Sequence, residues 1–155
     1  MSLLVLLPVL AAAAAQPQSD EEQFFTKSAA VCTALVLNPQ GYGEQDLQRL
    51  AANIADREGY QKDMMGLYGR RFNRNGLAAL YYSYSNGQCS VGVGREILAH
   101  PDVQGIVDKT AKALNLTFDH KVASRWASPR IVISYSPPSA SDIDGIASVT
   151  FERPK

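Results

Sequence analysis

The run from Leu80 to Val93 constrains this chain more than any other stretch, because two strand-like segments meet there at Asn86-Gly87. That dipeptide most readily adopts the two positive φ values of a type I′ hairpin turn. A two-residue loop sets the register: Ser85 faces Gln88, Tyr84 faces Cys89, Ser83 faces Ser90, Tyr82 faces Val91, Tyr81 faces Gly92 and Leu80 faces Val93. Side chains alternate across a strand, so Leu80, Tyr82, Tyr84, Cys89, Val91 and Val93 share one face, and Ser83, Ser85, Gln88 and Ser90 share the other. One face is core and the other is wet. Cys89 then points inward. The only other cysteine, Cys32, falls on an amphipathic helical stretch, and the two are expected to be joined as a disulfide.

The N-terminus bears on that pairing. An apolar run from Leu3 to Leu10 leads into Ala11 to Ala15, which offers Ala13-Ala14-Ala15 as a small-x-small cleavage site. Residues 1–15 therefore read as a secretory signal, although without a Lys or Arg before the apolar run, and 16–155 as a single domain. The run is shorter than the roughly 20 apolar residues needed to span a bilayer, so no membrane span is expected after cleavage. An exported chain with two cysteines fits a periplasmic or secreted setting, where a disulfide persists. Lys plus Arg and Asp plus Glu both number 15. With no net field, a nucleic-acid partner has no support.

Ser19-Asp20-Glu21-Glu22 is a capping box. The helix that it opens should run to about Leu37, burying Phe25, Ala29, Cys32 and Val36 or Leu35, and end at Asn38-Pro39. A second helix is expected from Glu44 to Glu58 with Leu47, Leu50, Ala51 and Ile54 on its apolar side. A third helical stretch is expected from Gln61 to Asn73, with Met64 or Met65, Tyr68 and Phe72 inward. After the hairpin, Pro101 and Asp102 open a helix whose Val103, Ile106, Val107, Thr110, Ala111 and Leu114 form one apolar stripe. Asn115 can cap it. Phe118 to Trp126, Arg130 to Ser136 and Ile146 to Glu152 read as strands. The sum is an α+β domain: a mainly antiparallel sheet of about five strands, in the order β-β-α-β-β-β, with N-terminal helices packed on one face. That tail is similar in element order alone to PAS-like and profilin-like sensor folds, which would imply an apolar ligand pocket between the sheet and the helix after Pro101.

Few residues carry a chemical signature. Cys89 as a nucleophile served by a histidine competes with the disulfide, but a catalytic thiolate favours an exposed, electropositive helix N-terminus, whereas Cys89 is mid-strand on the apolar face. The two histidines, His100 and His120, make no zinc spacing, and no cofactor fingerprint is complete. His120 shares a strand face with Phe118 and Trp126. A catalytic cluster with Asp119 and Arg125 is weighed there against an ordinary half-buried histidine. Asp142-Ile143-Asp144-Gly145 lacks the flanking carboxylates of a calcium loop. Arg70, Arg71 and Arg74, helped by Lys62, could bind a carboxylate or phosphate; the plainer reading is a solvated helix face.

The expectation is an exported, disulfide-stapled module that binds a protein partner or small ligand, without a cofactor. The competing expectations are an envelope hydrolase using Cys89 or a site centred on His120, and a PAS-like small-ligand sensor.

Overall fold

A computed structural model of the chain describes residues 19–38, 41–57, 59, 61–62, 68–71, 78–85, 87–95, 98, 100–141 and 145–155. Helix α1 spans Asp20–Leu37, with the Ser19 hydroxyl accepting from the Glu22 amide at 3.2 Å. It ends where Asn38 turns left-handed at φ 39°, and the Asn38 side chain clasps Tyr42 through two hydrogen bonds. Phe25, Ala29, Cys32, Leu35 and Val36 are all buried. Helix α2 spans Glu44–Arg57 and buries Leu47 and Ala51, while Leu50 stays 40% exposed.

Four strands follow: β1 at Gln61–Lys62, β2 at Tyr68–Arg71, β3 at Ala78–Ser85 and β4 at Gln88–Gly94. The hairpin of β3 and β4 has the expected register, from Ser85 opposite Gln88 to Leu80 opposite Val93, and Gly87 turns it at φ 75°. Its buried residues include Cys89, Val91 and Val93. The stretch expected as a third helix is instead strand where it is described. Tyr68–Arg71 pairs with β3, and the sequence explains why: glycines at 66 and 69 weaken a helix, while β3 leaves an open edge whose backbone groups require partners.

Helix α3 spans Val103–Leu114 with Asp102 as its cap. Asn115 and Leu116 close it by donating to the carbonyls of Lys112 and Ala111, the paired bonds of a Schellman end. The stretch expected as one strand from Phe118 to Trp126 is two, β5 at Asp119–Val122 and β6 at Arg125–Ala127. Ser124, at φ 62°, folds them into a tight hairpin. Strands β7 at Val132–Ser136 and β8 at Ile146–Glu152 end the described chain's regular structure.

The eight strands among the described residues form one antiparallel sheet in the order β1-β2-β3-β4-β8-β7-β6-β5. Two four-stranded meanders meet where β4 pairs with β8 over seven residue positions. Helix α3 carries the chain from that centre to the outer strand β5. The expected strands are all present, and the sheet is wider because one of them is a hairpin and β1 and β2 extend the opposite edge.

The three helices cover one face. Beneath them runs a cross-strand row, Cys89, Phe151, Ile133 and Trp126, each opposite the next and all buried. Cys32 reaches down from α1 to join Cys89, with Cα atoms 5.2 Å apart and a separation of 57 positions in sequence. The opposite face carries a hydroxyl row, Ser90, Thr150 and Ser134, in which Ser90 and Thr150 bond at 3.0 Å. No described helix is long and apolar enough to cross a membrane.

Candidate binding site

The disulfide pins the middle of α1 to the sheet, so the helix has a fixed underside and a ridge facing away from it. Ala29 to Leu37 contains no charged residue. A helix apolar on every side is ordinarily buried all round, yet Ala30 and Ala34 on this ridge are exposed. Helices α2 and α3 flank the ridge without closing over it. Their separation leaves two cavities that share Ala30 and Ala34 as a common wall.

The cavity on the α3 side measures about 440 Å³. Its wall is formed by Thr26, Ala30, Ala34 and Leu37 of α1 and by Ile106 and Ala113 of α3, with other short side chains between them. Two cations stand at it: Lys109 of α3 and Arg130 of the loop before β7. No carboxylate lines it. The Thr33 hydroxyl, also in the wall, is turned back onto the Ala29 carbonyl at 3.0 Å. The cavity on the α2 side measures about 420 Å³, with Val31, Leu47, Leu50, Ile54 and Tyr42 among its walls. Both volumes fall in the range of small-ligand pockets, roughly 300–1,000 Å³. A third hollow of about 330 Å³ lies among Arg125, Glu152, Arg153 and Lys155. Three of its charges are already engaged: Arg125 lies 3.9 Å from Glu152, and Arg153 donates to the Val36 carbonyl at 2.7 Å.

The residues singled out from sequence are dispersed. Cys32 and Cys89 are both in the disulfide and fully buried, so Cys89 offers no thiolate, and the nucleophile reading is corrected by the bridge itself. His120 is exposed and stacked on Trp126, ring centroids 5.0 Å apart and planes 10° from parallel. Asp119 is paired with Lys121 at 2.7 Å and Arg125 with Glu152; the cluster around His120 is not assembled as a relay. The Asp119 carboxylate, by hydrogen bond and by charge, raises the Lys121 ammonium above the usual lysine range. Among the described residues no group of three or more His, Cys, Asp and Glu could hold a metal ion.

Lys62 lies on β1, Arg70 and Arg71 are consecutive on β2, and Arg74 lies outside the described residues. Where they are described, Lys62, Arg70 and Arg71 lie on strands and not on the expected helix face, near the β1 edge of the sheet, where charge discourages pairing with another chain.

The groove residues Ala30, Ala34, Lys109 and Arg130 were not anticipated from sequence. The available signal was the uncharged stretch Ala29 to Leu37, which holds more apolar surface than one sheet contact can cover. No protein-family model matches this chain, and neither does any curated protein or solved structure at a significant level.

Proposed function

We propose that this chain is an exported, periplasmic or secreted module that works by binding, with the helix layer as its working surface. The observation that carries the reading is the outward ridge of α1: an apolar surface, held from beneath by Cys32–Cys89 and flanked by cavities of about 440 and 420 Å³. A binding surface gains affinity when its groove is rigid before the ligand arrives, and the bridge supplies that rigidity at the centre of α1. Export is supported by the apolar run and alanines of residues 1–15 and by a disulfide of the kind that persists in oxidising compartments.

The sensor reading is refined by the same geometry. Its ligand space would lie between α1 and α3, where Ile106 lines the cavity, while Val103 and Val107 of α3 are buried.

The test is fractionation of the producing cell followed by intact mass of the protein. The expected result is recovery outside the cytoplasm with a mass starting at Gln16. Recovery from the cytoplasm with residues 1–15 retained would overturn the reading.

A further inference from the structure

The two grooves beside α1 differ in charge. The one against α2 includes a single cation, Lys27, which is not free. The one against α3 has two, and neither has an ion-pair partner among the described residues. Lys109 has Gly105, Ile106, Lys112 and Ala113 at the i±3 and i±4 positions, so no carboxylate neighbours it on the helix. The nearest acidic residue along α3, Asp108, accepts from Gln104 at 2.8 Å. Arg130 projects from a turn held by Ser128, whose hydroxyl takes the amides of Arg130 and Ile131 and donates to the Ile131 carbonyl. The turn fixes the backbone from which the guanidinium extends. In a chain of zero formal charge, an apolar trough with two unpaired cations and no carboxylate is an asymmetric site.

The trough follows α1 from Thr26 to Leu37, about 16 Å at the helical rise per residue. Its walls are mostly methyl and methylene groups, broken by the threonines at 26, 33 and 110, so it suits a hydrocarbon chain. Its cations suit one negative head.

We infer that the groove between α1 and α3 binds a single-chain anionic amphiphile, a fatty carboxylate, with the alkyl chain along Ala30, Ala34 and Ala113 and the carboxylate at Lys109 and Arg130. This rests on the binding-module reading and names the ligand class of one of its two grooves. Each added pair of methylenes that stays within the groove should tighten the dissociation constant about tenfold, the expected gain from burying that much chain. The carboxylate should add up to about fivefold for each exposed cation it meets.

Calorimetric titration of the oxidised, signal-cleaved protein with octanoate, decanoate and dodecanoate, all below micelle formation, and with the matching alcohols and trimethylammonium compounds, tests the inference. Saturable one-to-one binding that strengthens along the carboxylate series and ranks carboxylate above alcohol above ammonium is the expected result. Lys109→Gln with Arg130→Gln should erase that ranking while leaving decanol binding in place. Ala113→Trp, at an exposed position on the groove wall, should abolish binding of all three, and Leu50→Gln in the other groove should leave it unchanged. Equal affinity for decanoate and decanol, loss through Leu50→Gln in place of Ala113→Trp, or binding only of an acidic peptide would overturn the inference. So would no saturable binding by a sample whose mass begins at Gln16, which leaves the export reading standing. A sample that retains residues 1–15 in the cytoplasm fails the earlier reading instead.

Discussion

Asp102 and Gly105 act as one unit at the start of α3. The Asp102 carboxylate accepts from the Gly105 amide at 2.8 Å, and a methyl group added at 105 would meet that same carboxylate. A glycine-to-alanine change inside a helix ordinarily gains close to 1 kcal/mol, and losing an N-cap costs about as much. Gly105→Ala should therefore shift urea stability by less than about 0.5 kcal/mol in the native sequence and raise it by about 0.5–1 kcal/mol in an Asp102→Ala background. Equal effects in both backgrounds would mean the carboxylate does not hold the cap. Lys121 gives a prediction in pH. Its folded pKa is raised by Asp119, so the contribution of the pair is fully present below the unfolded lysine pKa and is lost as pH rises through the folded value. In Asp119→Asn, the Lys121 ammonium observed by NMR should titrate at lower pH than in the parent. The caps at Ser19 and Asn115 were legible in the sequence because each depends on a few adjacent residues, whereas Asp102 was read as part of the helix start and is its N-cap. The turn at Ser124 was not, since a serine at positive φ carries none of the glycine or asparagine signal of such turns.

Besides its packing on the sheet, helix α1 has two non-local ties. The last turn of α1 contains no basic residue, and Arg153, from the far end of the chain, donates to its Val36 carbonyl. Arg153→Ala should cost about 1 kcal/mol of unfolding free energy, the worth of a charged donor at a helix C-terminus; an unchanged melting temperature would show the bond to be idle. The disulfide closes a loop of 57 positions, and on the chain-entropy account replacing both cysteines by alanine should cost about 4 kcal/mol. Denaturant unfolding of the double variant measures this directly. The pairing was readable from sequence because the Asn86-Gly87 register placed Cys89 on the core face. The strand at Tyr68–Arg71 was not. Met64, Tyr68 and Phe72 fall at helical spacing, and that periodicity outweighs the weak signal of the glycines at 66 and 69, while pairing with the edge of β3 decides for a strand. Leu50 was expected in the buried stripe of α2 for the same local reason, and its 40% exposure reflects a groove that no periodicity reveals.

At the scale of the whole molecule, two meanders joined at β4 and β8 make a wide sheet with one hydroxyl-rich face and one face roofed by helices. The α+β class and the antiparallel pairing followed from hydrophobic alternation and turn chemistry. The site did not, because a groove is the space between α1, α2 and α3, set by how far apart three helices lie over the sheet. The Cys32–Cys89 bridge is the covalent tie between roof and sheet, and it links the fold to the proposed setting of the protein. Intact mass of the native protein from its producing cell, treated with an alkylating reagent before and after reduction, tests that tie most directly. The account predicts a mass two hydrogens below that of the dithiol, no alkylation of the folded protein, and two alkylated cysteines once it is reduced and unfolded. A native protein that takes up the reagent without reduction would contradict the bridge, return Cys89 to consideration as a reactive thiol, and remove the rigid support on which the binding surface depends.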